Sequence, residues 1–277
     1  PSEPEEVEEL LSSWDGVLEA AEKIYIPNQR WFMGNAAQLY TWNYMNRDFY
    51  NEDLELSLDK PGSMKALEAA ITMRENGWDA NMPDIWTNEF YSSLASGRIA
   101  TMLAGCWYGG FLKDFIAPDT SGKWGITRIP GSIDDSNWGG SYLAIPSQSK
   151  HKDEAWAFIK YALATKQAQN EMFEAVDYFP GYIPAWDDPM YQEADPFFAG
   201  QKTKALWVDI SKSIQPTFST IMDSTVEETL GNAVNTGLNE GKSAQEILDY
   251  AIEQIENATR DDKERYIDIL KDAGVWE

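Results

Sequence analysis

The sequence predicts a helix-rich α/β protein, and three observations carry that prediction. Two short apolar runs, "RIATML" at Arg98–Leu103 and "SYLAIP" at Ser141–Pro146, read as buried strands bounded by Gly and polar residues. Each strand is set beside helical periodicity, the second running into "KDEAWAFIKYAL". The last third of the chain is helical in pattern, with long 3.6-residue stripes.

Ser2 with Glu5 forms a capping box around Pro4, which opens the first helix. A second begins after Ser13, with Trp14, Val17, Leu18, Ala21 and Ile24 or Tyr25 on one face. Ser63 opens "MKALEAAITMREN", closed by Gly77, and a short helix from about Thr87 to Ser96 ends at Gly97. The "KDEAWAFIKYAL" helix carries Ala155, Phe158, Ile159, Ala162 and Leu163 on its inward stripe. A long helix runs through Met222, Val226, Leu230 and Ala233 towards Gly241. The next is capped by Ser243 and Glu246, with Ala244, Ile247, Leu248, Ala251, Ile252 and Ile255 inward. A shorter closing helix is expected in "RDDKERYIDILKDAGVWE". Two irregular segments, "PDTSGKWGITRIPGSIDDSNWGG" and "DYFPGYIPAWDDPMYQEADPFF", have the composition of binding loops or of a crossing between lobes.

The chain's 277 residues suffice for one large domain or two ordinary ones. A formal net charge of -24 repels phosphate backbones and anionic lipid, so nucleic acid and membrane surfaces are poor partners. No apolar run approaches the ~20 residues of a membrane helix. Cys106 is the single cysteine and reads as a small buried residue at a strand end. His151 is the single histidine, in a polar loop entering a helix, which is a poor setting for a catalytic base. His and Cys metal clusters are excluded by count, and no GxGxxG or Walker loop is present, so no cofactor and no metal are expected. Carboxylate pairs at Asp134–Asp135, Asp187–Asp188 and Glu227–Glu228 leave a two-carboxylate glycosidase open, although solvated acidic faces produce the same pairs.

Aromatic residues gather in loops and at strand ends: Trp42 and Tyr44, Trp107 and Tyr108, Trp138 and Tyr142, and Tyr178, Phe179, Tyr182 and Trp186. A flat ring face stacks on the C–H face of a sugar, while neighbouring Asn, Asp and Gln bind its hydroxyls. For any ring taken alone, packing in a core or loop is the competing role, and Trp14 and Trp156, on or beside helix stripes, read as structural. Trp107 and Trp138 differ because glycines adjoin them: "AGCWYGG" fences the first, and Gly139 and Gly140 follow the second. Such glycines permit positive φ and close backbone approach to a ligand.

At these residues the chain resembles the extracellular solute-binding proteins of sugar ABC importers, relatives of maltose-binding protein. The match runs through "SSWDGVLEAAEKI", "FYSSLASGRIATMLAGCW", "NWGGSYLAIPSQSKHKDEAWAFIKYAL" and "GYIPAW", and on into the helices from Pro216 to about Asn257. The resemblance implies a periplasmic-binding-protein-like (type II) fold of two α/β lobes with a ligand cleft between them. It implies that Trp107, with Tyr108 beside it, stacks on sugar, and that Trp138, Gly139 and Gly140 lie where the chain crosses beside the cleft. Tyr40 and Trp42 fall near an aromatic cleft segment of the second lobe, and Tyr182 lies in the "GYIP" loop.

Family members carry about a hundred or more further residues at the start, so the N-terminal lobe is expected to be incomplete here. Residues 1–138 then form the first part of the C-terminal lobe, 139–198 an N-terminal-lobe segment and 199–277 the closing C-terminal-lobe helices. The resemblance implies a non-enzymatic, monomeric receptor outside the membrane, extracellular or periplasmic, with a lipid anchor as one means of attachment. Its partners are then a sugar or oligosaccharide and the permease subunits of an ABC transporter. The alternatives are a carbohydrate-active hydrolase or lyase using paired carboxylates, and a receptor of the same fold for a non-sugar solute such as a peptide or polyamine.

Overall fold

A computed structural model describes residues 4–42, 48–58, 62–131 and 135–276. Ser2, Tyr44 and Asp134 lie outside the described residues. Eleven α-helices are found among them: α1 (Pro4–Leu11), α2 (Trp14–Ile24), α3 (Ala37–Thr41), α4 (Ser63–Glu75), α5 (Asn88–Ala95), α6 (Tyr108–Phe111), α7 (Lys152–Ala164), α8 (Lys166–Val176), α9 (Thr203–Ser213), α10 (Asp223–Asn239) and α11 (Ala244–Asp272). They fall into two compact units. The first takes the described residues of Pro1–Leu103, Ile129–Asp135 and Gln215–Glu277, the second those of Ala104–Arg128 and Ser136–Ile214. Residues 104–128 and 199–214, expected with their sequence neighbours on either side, thus cluster with 136–198.

In the first unit the capping signals act as their chemistry requires. The Ser13 hydroxyl accepts from Gly16 N–H at 3.1 Å to start α2, and Thr87 accepts from Phe90 N–H at 3.2 Å to start α5. Ser243 and Glu246 form a reciprocal capping box at α11. α4 starts one residue earlier than its serine suggests: Gly62 is the N-cap and Ser63 is the first helical residue, buried with its hydroxyl towards Leu58 O. Gly77 and Gly97 take the left-handed conformation that ends α4 and α5, at φ 68° and 70°.

The core of this unit collects the predicted stripes: Val17 and Ala21 of α2, Met222, Val226, Leu230 and Ala233 at α10, and Ile247, Leu248, Ala251 and Ile255 of α11. α10 and α11 approach closely at Gly237, where a Cβ would stand 2.4 Å from Ile247 Cγ1. The closing helix expected as a separate piece is the C-terminal half of α11, because no Gly or Pro interrupts the chain between Ile255 and Asp272.

The "RIATML" strand is reduced to the edge of a small parallel arrangement. Residues 31–34 run centrally, bonded to 98–101 through Trp31 N–H to Arg98 O (2.7 Å) and Thr101 N–H to Phe32 O (2.8 Å). On the other side Phe32 N–H donates to Trp78 O (2.8 Å) and Met82 N–H to Gly34 O (2.8 Å). Only isolated bridges, Trp31 with Ile99 and Met33 with Asp79, meet the ladder pattern there. Under this layer Arg74 of α4 forms a buried ion pair with Asp79 (2.8 Å), whose second role is to accept from Ala36 N–H at the start of α3 (2.8 Å).

The second unit has a smaller core of Phe173, Met190, Tyr191 and Val208, with Phe179, Trp186 and Trp207 against it. Here the sequence expectation needs correction. "SYLAIP" forms no strand: residues 139–146 have no ladder partner among the described residues, and Tyr142 is 94% exposed. α7 forms where predicted but buries none of its residues; Phe158 and Leu163 are exposed, and so is Trp156, expected to be structural. A strand without neighbours gains no ladder bonds, and a helix stripe without a facing layer stays in water.

Candidate functional site

Beyond Leu103 the chain turns, with Tyr108 N–H to Gly105 O and Gly109 N–H to Cys106 O both at 3.0 Å, and enters α6 with Trp107 as its N-cap. α6 passes directly into a π-helical turn, Leu112–Ile116. The glycines of "AGCWYGG" have specific work in this turn. A Cβ on Gly105 would stand 2.6 Å from Trp107 Nε1, so the indole folds back over the bare backbone. One on Gly110 would stand 2.8 Å from Val176 O at the end of α8. The fence therefore makes room for the protein's own indole and backbone, where sequence reasoning expected room for a ligand.

The Trp107 ring lies 5.1 Å from that of Trp138 at 41°, and its Nε1–H donates to Trp138 O at 3.4 Å. Phe111 meets Trp107 edge-on at 5.6 Å, and Phe115 continues the row 5.1 Å further on. Trp107, Trp138 and Phe111 are half-buried, and Phe115 is exposed. Such tilted and edge-on pairs are the geometries aromatic quadrupoles favour. Trp107, Phe111 and Phe115 recur every four residues, a signal present in the sequence that the search for glycine-flanked rings passed over. Gly139, next to Trp138, has φ 89°, and a Cβ on Gly139 or Gly140 would meet nothing within 4 Å.

The other expected site residues are placed differently. Tyr40 is fully buried in the first unit, its hydroxyl donating to Leu58 O at 2.9 Å, and Trp42 is buried as well, so neither offers a ring face to a solute. Tyr40 lies within α3 and Trp42 is its C-cap, and the apolar positions of this helix turn into the core. Tyr108 is also buried, its ring 5.7 Å from that of Trp107. Tyr182 is half-buried and caps a 3-10 turn, Ile183–Asp187. Trp186 and Phe179 of the same loop are structural, with Trp186 Nε1–H bonded to Pro180 O at 2.9 Å.

Charged groups fasten this turn. Lys113 Nζ reaches Asp177 Oδ2 and Asp195 Oδ2, each at 2.8 Å, and lies 5.3 Å from the Phe198 ring centre. Burial alone would lower the Lys113 pKa, but the bonds to two carboxylates outweigh it and the net direction is up. Burial pushes Asp177 up, and its bond to Lys113 offsets this only in part, because two anions share one cation. The Cys106 thiol, donating to Asp177 O at 3.7 Å, is pushed up to about 12 by burial. Asp188, of the pair weighed as catalytic, accepts from Met190 N–H and faces Lys166 at 3.5 Å, a capping role. Among the described residues no group of three or more His, Cys, Asp or Glu could hold a metal ion, and no helix is long and apolar enough to cross a membrane.

The fold is that of the type II periplasmic binding proteins. The sugar-binding protein MalE of Xanthomonas citri superposes with a TM-score of 0.71 at 18% identity, over 92% of this chain and 68% of its own. The ABC transporter associated binding protein of B. animalis subsp. lactis, in complex with beta-1,6-galactobiose, does so with 0.72 at 17% identity, over 99% and 71%. The family model for bacterial extracellular solute-binding proteins matches residues 7–199, and the chain belongs to that family. Among curated relatives, the arabinooligosaccharide-binding protein of Halalkalibacterium halodurans is 24% identical over 220 residues, 74% of this chain and 49% of that protein. The lactose-binding protein of Rhizobium radiobacter is 33% identical over 162 residues, 55% and 37%. The chain thus spans half or less of the length of these relatives.

Proposed function

We propose that the chain is the solute-capturing part of an ABC importer, binding a sugar or oligosaccharide on its aromatic row and presenting it to membrane permease subunits. The observation that carries this reading is the Trp107–Trp138 pair, two half-buried indoles 5.1 Å apart beside the unobstructed Gly139 and Gly140. Indole faces remove the apolar C–H surface of a pyranose from water, and the exposed glycine backbone lets N–H and C=O groups come close to hydroxyls. Relatives named for binding arabinooligosaccharides, lactose and maltotriose support a saccharide ligand. The protein acts by binding without converting its ligand, as a monomer outside the membrane, with a lipid anchor as its tether.

Residues 139–198 are read as part of the N-terminal lobe, and 1–138 with 199–277 as the C-terminal lobe except for 104–128 and 199–214, which cluster with 136–198. The exposure of Tyr142, Leu143, Phe158 and Leu163 supports the first assignment, since this is the pattern of a strand and helix built to lie under further sheet.

The test is calorimetric titration of lactose, maltotriose and an arabino-oligosaccharide, with product analysis of the same mixtures. Saturable binding that Trp107→Ala weakens at least about tenfold is expected, the loss of one stacked ring being worth about 1.4 kcal/mol or more. Unchanged affinity in Trp107→Ala moves the site elsewhere, and cleavage products overturn the non-enzymatic reading.

A further inference from the structure

Asp177 holds both ends of the segment that carries Trp107. Its carbonyl accepts from the Cys106 thiol at 3.7 Å, and its carboxylate accepts from Lys113 Nζ at 2.8 Å. Between those two points lie Trp107 and Phe111, and the chain there presses its glycine backbone onto residues 176 and 177. Asp177 is itself in the left-handed conformation that ends α8, with φ 56°. Lys113 reaches at the same time to Asp195, whose other carboxylate oxygen caps the 3-10 turn Pro196–Phe198 by accepting from Phe197 N–H at 2.9 Å. One ammonium thus joins three segments: the Trp107 turn, the end of α8, and the turn after the aromatic loop.

We propose that Lys113 is a positioning residue for ligand binding, which sets the Trp107 indole in its place beside Trp138 by fastening 106–113 to Asp177 and Asp195. This rests on the reading of Trp107 and Trp138 as the saccharide surface. The physical reason is that nothing else charged on the turn opposes its drift. The turn is short, two of its seven leading residues are Gly109 and Gly110, and its continuation is a π-helical turn. A glycine-rich segment has many conformations to lose, so a half-buried, doubly paired cation with fixed geometry is what narrows them. The Lys113 ammonium is bonded to Asp177 and Asp195, so its effect on binding passes through the placement of Trp107.

The test uses Lys113→Met, Lys113→Arg and Trp107→Ala in this chain, read by near-ultraviolet circular dichroism, which reports the coupling of neighbouring indoles, and by titration with maltotriose and lactose. Lys113→Met is expected to lose most of the indole couplet and about tenfold in affinity, and Lys113→Arg to restore both to within about threefold, because sites supported this way fail when loosened by about 1 Å. A couplet unchanged in Lys113→Met overturns the proposal, as does failure of Lys113→Arg to restore it. If Trp107→Ala weakens binding and Lys113→Met does not, the saccharide surface stands and the positioning role falls. If the unsubstituted chain binds neither sugar, the functional reading falls, and the couplet alone decides whether Lys113 places the indole. Should Lys113→Met fail to fold, Asp195→Asn, which keeps the Lys113–Asp177 pair, takes its place with the same criteria.

Discussion

Trp107 Nε1 stands where the side chain of residue 105 would begin, 2.6 Å from the position of a Cβ on Gly105. The indole and the missing methyl are alternatives for one volume. Gly105→Ala is therefore expected to swing Trp107 away from Trp138 while leaving the two cores intact. The change should appear as a shifted tryptophan emission and a weaker response to maltotriose, with far-ultraviolet dichroism preserved. An unaltered emission spectrum would mean that the turn absorbs a Cβ at no cost to the ring.

Burial separates two helices that look alike in sequence. Ile255 of α11 is fully buried, whereas Ile159, on α7, is only half-buried. Ile255→Ala should cost about 2–5 kcal/mol by opening a cavity, and Ile159→Ala under about 1 kcal/mol. Urea unfolding at constant slope measures both. The same exposure predicts that the chain binds the dye ANS in its native state, and that Phe158→Glu lowers this fluorescence without lowering stability.

Helix stripes were legible because they depend on local periodicity and on caps that act within four residues: Ser13, Thr87 and Ser243 all do what their chemistry suggests. α7 was equally legible as a helix, yet its inward face was not, since burial depends on a facing layer that periodicity does not report. "SYLAIP" failed for the same reason, a strand being defined by partners elsewhere in the chain. In the candidate site, Trp107 and Trp138 announced themselves through their glycines, and the structure brings the two rings to 5.1 Å of each other. Tyr40 and Trp42 carried the same composition signal but sit in a core. The Lys113–Asp177–Asp195 cluster, separated by 64 and 82 positions, had no sequence signal at all.

Arg74 and Asp79 pose a stricter test of the first unit. The Asp79 side chain is fully buried and is held by Arg74 and by Ala36 N–H, while Arg74 Nη2 also donates to Asn35 Oδ1 at 3.1 Å. Removing one partner leaves an uncompensated charge. Asp79→Ala is expected to destabilise by about 3–5 kcal/mol, and the double variant Arg74→Met/Asp79→Leu by less than Asp79→Ala alone. Additive losses in a double-mutant cycle would show that the pair does not act as a unit.

The thiol of Cys106 gives the second unit a predicted dependence on alkaline pH. Its ordinary value is 9.0, and burial pushes it up to about 12. A group whose folded pKa is raised contributes stability that is complete below the unfolded value and is lost as pH rises through the folded one. The unfolded chain therefore gains from ionising Cys106 from about pH 9 upward, while the folded protein keeps its proton until about pH 12. Lys113, also raised from its ordinary 10.5, acts in the same direction but begins later. Melting temperature should fall between pH 9 and 11, and Cys106→Ala should remove the early part of that fall. At pH 8 native Cys106 should resist iodoacetamide for hours and react within minutes in urea, because the thiolate is the nucleophile and the fold suppresses it. Rapid alkylation of the native chain would show instead that the thiol ionises freely beneath the Trp107 turn.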